Sequence, residues 1–214
     1  MSNSDYIIHG SRLENLIKIL QCGYINNKPM KKDIIMLKYK PSNQIFTQLI
    51  YRNIPNEKKQ KPHWWNCVIV LDKKILKDYP FYATRVGGFT NKFENGKTSE
   101  HTIIYGEGNL DRMPNLTKLK NIINKVCETD SFDSVTFTHS NEILFNKQIP
   151  LNTYCKCIIM YDEPYLKDKK EGQKQKQNII ELANNANIPI KVYNLKKKNY
   201  LEGLNNFIDI IENK

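Results

Sequence analysis

The sequence predicts a fold of the α+β class. Short runs rich in β-branched residues, such as residues 67–71, are typical of strands, and amphipathic stretches, such as residues 13–20, are typical of helices. These elements alternate without the regular spacing of a doubly wound α/β protein. With 214 residues, of which 40% are hydrophobic and 26% charged, the chain can bury one core. We therefore expect a single domain over residues 1–214, in which residues 163–214 are an integral part or a C-terminal extension.

The N-terminal strand and helix are the most clearly marked elements. Residues 5–9 form a β-branched run that ends at a Gly-Ser step, as expected for a strand that leads directly into a helix. Ser11 and Glu14 match the S-x-x-E capping box, and Gly23 stands where a left-handed C-terminal cap belongs. Apolar residues between them recur at helical spacing: Leu13, Leu16, Ile17 and Leu20.

Weaker patterns predict the remaining elements. Strands are expected at residues 34–37, 45–47, 67–71, 135–138, 142–145, 154–161 and 190–193. Helices are expected at residues 75–77, 116–126, 177–184 and 201–211. The charged run over residues 167–176 is interpreted as a solvated surface segment, with contact to a phosphate backbone as the alternative.

The chain is strongly basic. Its 33 Lys and Arg residues exceed its 22 Asp and Glu residues, which gives a net charge of +11. Such an imbalance favours phosphate-bearing partners, namely nucleotides or nucleic acid. A solvated lysine-rich surface is the alternative, and the charge alone does not decide between the two.

Several classes of protein are disfavoured by what the sequence does not contain. It has no G-x-G-x-x-G, G-x-x-x-x-G-K-[ST], H-E-x-x-H or G-x-S-x-G motif. The four histidines are scattered and the five cysteines form no C-x-x-C pair, so we expect neither a metal site nor a disulfide framework. No apolar run has the length of a membrane span, and the first residues do not resemble a signal peptide. We expect an intracellular protein, cytoplasmic or nuclear, with no membrane partner.

His9, Gly10 and Ser11 stand where the first strand gives way to the helix. A glycine lets a flat ring approach the backbone, whose N–H and C=O can pair with an amide. The imidazole and the hydroxyl on either side can reach into a cleft at that point. The alternative interpretation is a turn glycine beside a histidine that merely closes the strand.

Two blocks of sequence resemble the ADP-ribosyltransferase superfamily. Residues 6–25, with His9-Gly10-Ser11 followed by Asn15, Ile19-Leu20 and Gly23, resemble the opening of the poly(ADP-ribose) polymerase clade. Residues 141–145 with residues 149–151 resemble the catalytic-glutamate strand and turn of the DarT-type enzymes that modify DNA. Residues 68–72 are more loosely similar to that group's central strand. Together these blocks cover about a third of the chain.

The sequence also departs from both patterns. The full tyrosine segment of the polymerase clade is missing, and the stretch from Phe46 to Tyr51 takes its place only approximately. An arginine shortly after the second strand belongs to the DarT pattern, and Arg52 meets this only approximately. The branch of the superfamily is therefore left open.

The resemblance implies a split β-sheet with flanking helices and NAD as the substrate. It implies that Glu142 and His9 are catalytic, with Glu142 stabilising the positive charge that develops on the ribose. It also implies that His9, Gly10 and Ser11 bind NAD, and that Tyr51 or, as second choice, Tyr82 stacks on the nicotinamide. The alternatives are an exposed edge-strand carboxylate for Glu142 and ordinary core packing for both tyrosines.

The leading functional hypothesis is a mono-ADP-ribosyltransferase. Nucleic acid is preferred over protein as acceptor because of the charge of +11 and the DarT-like block. Trp64 and Trp65, beside Lys58, Lys59 and Lys61, form either a base-stacking platform or a packing pair. The alternatives are a non-catalytic basic nucleic-acid-binding module on the same fold and an RNA 2′-phosphotransferase. The second is disfavoured because the chain has few arginines.

Overall fold

The computed structural model describes the chain in separate ranges, which include most of the predicted elements. These ranges are residues 5–26, 28–29, 43–54, 66–79, 81–84, 117, 120–121, 124, 142–161, 169–193 and 204–213. The strands predicted at residues 34–37 and 135–138 lie outside them, as do Trp64 and Trp65 with their neighbouring lysines.

Strands and helices alternate along the described residues, and several of the short elements were not predicted from the sequence. The strands are β1 (Asp5–Ser11), β2 (Tyr24–Ile25), β3 (Lys28–Pro29), β4 (Asn43–Tyr51), β5 (Cys67–Asp72), β6 (Phe81–Thr84), β7 (Glu142–Phe145), β8 (Ile149–Pro150), β9 (Cys155–Tyr161) and β10 (Ile190–Tyr193). The helices are α1 (Leu13–Cys22), α2 (Ile75–Asp78), α3 (Leu151–Tyr154), α4 (Lys169–Asn185) and α5 (Leu204–Glu212). Residues 117, 120, 121 and 124 are also helical, within the helix predicted at 116–126.

One mixed sheet contains most of these strands, in the order β10-β9-β5-β1-β4-β7-β6. β3 extends it beside β4, and β2 and β8 form a separate two-stranded sheet. Within the large sheet β9 and β10 run parallel, whereas the other pairs are antiparallel. A mainly antiparallel sheet with helices around it is the α+β class, which confirms that prediction.

The sheet opens between β1 and β4. These two strands are paired only from Asp5 with Tyr51 to Ile8 with Gln48. Beyond that point β1 continues beside β5 as far as Ser11, while β4 continues beside β7. The sheet is therefore split, as the resemblance implied, into one half on β5 and β9 and another on β7 and β6.

The centre of the core is β5, because all of its apolar residues are buried. Cys67 to Leu71 are fully buried, and the strand lies between β1 and β9. A continuous apolar run is typical of a strand that is covered on both faces. α4 packs against α1, and α5 contacts β4 and β10.

Helix α1 confirms one predicted end and corrects the other. Gly23 has φ +77° and its N–H donates to the carbonyl of Ile19, which is the predicted left-handed cap. The predicted capping box does not form: Ser11 is the last residue of β1, and Arg12 occupies the N-cap without a side-chain cap. The reason is that β1 stays paired with β5 through Ser11, which keeps this residue in the sheet.

Helix α4 is longer than its apolar pattern indicated. It begins at Lys169, eight residues before the predicted start, so part of the charged run is helical. Gly172, Ile179 and Ala183 are buried, while Lys170 and Lys174 are exposed. Because the first turns bury a glycine rather than a large apolar side chain, their helical period is weak in the sequence.

Both C-terminal elements are attached to the large sheet. β10 pairs with β9, so residues 190–193 belong to the sheet that contains β1. The Lys191 ammonium donates to the carbonyls of Ile210 and Ile211, at 2.8 and 2.6 Å, in the last turn of α5. A cation at this end of a helix satisfies unpaired carbonyls and complements the helix dipole.

Candidate active site

The candidate site lies where β1 separates from β4. One edge of β1 is still held there by β5, because Gly10 pairs with Val68 and Ser11 with Cys67. On the other edge the β4 ladder has already ended at Ile8. The end of β1 therefore borders an opening in the sheet on one edge, while its other edge remains paired with β5 in the core.

His9 bridges the two strands at this opening. Its Nδ1 lies 2.8 Å from the main-chain oxygen of Phe46 in β4. A carbonyl oxygen only accepts hydrogen bonds, so Nδ1 is the protonated nitrogen in this geometry. Both residues are half-buried, so the bond lies at the rim of the opening.

Gly10 and Ser11 differ in how much they are exposed. Gly10 is half-buried, whereas Ser11 is only 4% exposed and its hydroxyl donates to the carbonyl of Arg12 at 3.2 Å. The Ser11 carbonyl in turn accepts from the Cys67 thiol, 3.0 Å away. Burial raises the pKa of Cys67, so this thiol stays neutral and acts as a packing group rather than as a nucleophile.

Glu142 is the first residue of β7 and reaches the same region through strand register. Its backbone pairs with Gln48 of β4 on one side and with Thr84 of β6 on the other. Gln48 pairs in turn with Ile8, the residue before His9. With adjacent strands about 4.8 Å apart, the backbones of Ile8 and Glu142 lie about 10 Å apart. The side chain of Glu142 lies outside the described part of the structure.

The two candidate stacking tyrosines occupy different places. Tyr51 pairs with Asp5, at the end of the β1–β4 ladder away from the opening. It is 3% exposed, and its hydroxyl donates to Asn124 Oδ1 at 2.7 Å. The Lys120 ammonium lies 4.8 Å from the centre of its ring. The structure therefore does not bring Tyr51 to Gly10, because the register of two antiparallel strands sends it to the opposite end.

Tyr82 lies in the half of the sheet that carries Glu142. Its backbone pairs with Leu144, which pairs with Phe46. The Phe46 carbonyl is the one that accepts from His9. Tyr82 is thus three strands from the His9 end of β1, and its side chain is outside the described residues.

Arg52, the approximate match to the DarT arginine, is engaged elsewhere. Its guanidinium binds Asp209 at 2.5 Å and Glu212 at 2.7 Å, both on α5. The hydrogen bonds with Glu212 and then Asp209 raise the pKa of Arg52. The Tyr6 hydroxyl also donates to Glu212, so these side chains attach the C-terminal helix to β1 and β4.

Three contacts between separate elements have no signal in the sequence. The Thr47 hydroxyl is buried and donates to the carbonyl of Ile143 at 2.7 Å, which joins β4 to β7. The Leu151 N–H donates to the Gly23 carbonyl at 2.9 Å, beside the β2–β8 pair. In these bonds, as in that between His9 and Phe46, the acceptor is a main-chain carbonyl, which every residue type carries.

Two negative findings apply to the described residues. Within the ranges given above, His, Cys, Asp and Glu form no group of three or more that could hold a metal ion. In the same ranges no helix has both the length and the apolar character to cross a lipid bilayer.

Comparison with known proteins identifies the fold. No family model and no curated protein matches the sequence. Among solved structures, DarT from Thermus sp. 2.9 in complex with NAD+ is similar over 90% of this chain and 96% of the DarT chain. The TM-score is 0.50 and the sequence identity 10%, so the similarity concerns the fold. The predicted ADP-ribosyltransferase-like split sheet with flanking helices is confirmed.

Proposed function

We propose that this protein is a mono-ADP-ribosyltransferase that cleaves NAD and transfers ADP-ribose to a macromolecule, with nucleic acid preferred over protein. We also propose that residues 1–214 work as one domain. The observation that carries the proposal is the register Ile8–Gln48–Glu142, which leads from the end of β1 to the start of β7 across the opening. The fold shared with an NAD-bound DarT supports NAD as the substrate.

Glu142 has the central role in this proposal. Nicotinamide leaves with the electron pair of the glycosidic bond, and positive charge develops on the ribose carbon. The Glu142 carboxylate stabilises that charge and holds a ribose hydroxyl by a charge-assisted hydrogen bond. The acceptor atom then forms a bond to the ribose carbon and loses its proton.

The first strand binds the dinucleotide. The Gly10 N–H and C=O pair with the carboxamide of nicotinamide, next to the point where the β4 ladder ends. Ser11 contacts the ribose or the adenosine side. Ser11 acts there as an acceptor, because its hydroxyl hydrogen is donated to Arg12.

Tyr82 is the better candidate for stacking on nicotinamide. Tyr51 is buried and bound to Asn124 at the far end of its ladder, whereas the backbone of Tyr82 belongs to the half-sheet of Glu142. An aromatic ring on the nicotinamide face orients the leaving group by contact with its π-system.

The basic charge of the chain supports a nucleic-acid acceptor. A net charge of +11 attracts a phosphate backbone, and Lys170 and Lys174 on α4 are exposed. Polymer formation is not part of the proposal, because it requires an acceptor site for ADP-ribose itself.

Labelled NAD tests the proposal. The purified protein is incubated with NAD carrying a label on its adenylate part, together with DNA, RNA or lysate protein, and label transfer is measured. We expect transfer to at least one acceptor, and a fall of about 100-fold or more in Glu142→Ala and Glu142→Gln. Glu181→Gln, an exposed position on α4, serves as the matched control and is expected to keep wild-type activity.

Other outcomes would favour the alternatives. Salt-dependent nucleic-acid binding without any transfer, unaffected by Glu142→Ala, would identify a non-catalytic binding module. Consumption of NAD only in the presence of 2′-phosphorylated RNA would identify a phosphotransferase.

A further inference from the structure

Where the main-chain ladder between β1 and β4 ends, the side chain of His9 provides the next hydrogen bond between the two strands. Continuation of the β1–β4 register would place His9 opposite Thr47 and Gly10 opposite Phe46, but the pairing ends with Ile8 and Gln48. At this point the His9 Nδ1–H donates to the Phe46 carbonyl at 2.8 Å. A bond from side chain to main chain therefore connects the strands just beyond their last backbone pair.

The acceptor of this bond lies on a strand that is firmly attached to β7. Phe46 and Thr47 pair with Leu144 and Ile143, and the Thr47 hydroxyl adds a buried bond to the Ile143 carbonyl. Glu142 begins the same β7 strand. The bond from His9 thus links the Gly10 end of β1, through β4, to the strand that carries Glu142.

We infer that His9 is a positioning residue, whose Nδ1–H bond to Phe46 sets the width of the opening between Gly10 and the Glu142 strand. This inference rests on the proposed function, in which NAD binds between Gly10 and Glu142 and the width of the opening determines how NAD fits. It assigns His9 a role that differs from direct contact with the dinucleotide. Because Nδ1 is committed to Phe46, a direct contact would require Nε2, and the two nitrogens can be tested separately.

Three substitutions separate the roles of the two nitrogens. The amide of His9→Asn can place a donor near the position of Nδ1, the amide of His9→Gln reaches the position of Nε2, and His9→Leu has neither. We expect His9→Asn to keep kcat and KM for NAD within about threefold of wild type. We expect His9→Gln and His9→Leu to lower kcat/KM about 10- to 100-fold, because misplacement by an ångström has costs of this order. The reverse order, with Gln active and Asn impaired, would overturn the inference and make His9 a ligand of NAD.

Two measurements on the free protein examine the bond without relying on activity. Nitrogen-15 NMR of labelled histidine is expected to show hydrogen on Nδ1 of His9, and the tautomer protonated only on Nε2 would overturn the inference. Amide hydrogen exchange is expected to accelerate around Phe46 and Thr47 in His9→Leu, but not in His9→Asn.

The amides of Val68 to Val70, on the other side of β1, show whether each variant is folded, because that strand lies in the core. Unchanged exchange around Phe46 in a folded His9→Leu variant would contradict the inference. If the NMR and exchange results are as expected while no variant and no wild-type protein consumes NAD, the bond stands and the proposed transferase function fails. The two failures are therefore distinguishable.

Discussion

The two edges of β1 are held in different ways. On one edge, β5 pairs with it from Tyr6 to Ser11, and β5 is buried from Cys67 to Leu71. On the other edge, β4 pairs with it only as far as Ile8, and Phe46 and Gln48 of β4 are half-buried. The comparison shows how a sheet can open beside a strand that stays in place. The β1–β4 ladder is short, which creates the opening, while the longer β1–β5 ladder keeps β1 in the core.

The largest effect should come from the fully paired edge. Ile69 is completely buried between His9 of β1 and Ile158 of β9. We expect Ile69→Ala to lower the free energy of unfolding by about 2–5 kcal/mol, from lost burial and the cavity that remains. Urea denaturation measures this. Gln48→Ala, on the half-buried edge, should lower the free energy of unfolding by less. An equal or larger loss in Gln48→Ala would contradict the difference between the two edges.

A smaller loss should follow from the contact that joins β4 to β7. Thr47→Val keeps the shape of the side chain but removes the hydroxyl that donates to the Ile143 carbonyl. Because that contact is buried, we expect a loss of about 1–3 kcal/mol in the free energy of unfolding. The exposed Thr153→Val serves as control and should stay within about 0.5 kcal/mol of wild type. Equal effects of the two variants would show that the hydroxyl does not hold β7.

Alkaline pH should act on the paired end of β1. Burial, followed by the nearby charge and hydrogen bond of Glu212, raises the pKa of Tyr6 to about 12 from its ordinary value of 10.0. The folded state therefore favours the neutral phenol, and its contribution to stability is complete below pH 10 and is lost as the pH rises towards 12.

Tyr6→Phe should accordingly lose less stability than wild type between pH 10 and 12, as measured by urea denaturation across that range. Tyr24→Phe, an exposed position on β2, is expected to keep the wild-type pH profile. The same profile in Tyr6→Phe as in wild type would refute the assignment.

The smallest effect concerns the start of α1. Glu14 approaches Arg12 at 4.0 Å, but both side chains are more than half exposed, and the capping box is not formed. We expect Glu14→Ala, which removes the side-chain acceptor that a capping box needs, to change the free energy of unfolding by no more than about 0.5 kcal/mol. Thermal unfolding measures it, and a loss of about 1 kcal/mol or more would indicate a functioning cap.

Local structure was predictable from the sequence where short-range patterns are strong. The β-branched run of β1, the apolar spacing of α1 and the left-handed Gly23 are each set by neighbouring residues. The capping box failed because pairing of Ser11 with β5 competes with helix capping, and that partner is remote in sequence. The start of α4 was missed because its buried face begins with Gly172.

The placement of the candidate site residues was predictable only in part. The resemblance singled out His9, Gly10 and Glu142, and the register of the strands relates the backbones of β1 and β7 through Gln48. Tyr51 lies at the other end of its ladder, which no local pattern reveals, because position along a sheet depends on which strands pair. The bond between His9 and Phe46 was likewise invisible, since its acceptor is a main-chain oxygen.

Strand β4 belongs to both halves of the sheet. Its second half pairs with β1 and its first half with β7, and in the ladders of these described strands Gln48 alone is paired on both sides. A change in the angle between the two halves would therefore alter the backbone at this residue. Distances measured from labels on β5 and β7 would then change together with the backbone angles of Gln48, while the pairs within each half stay intact.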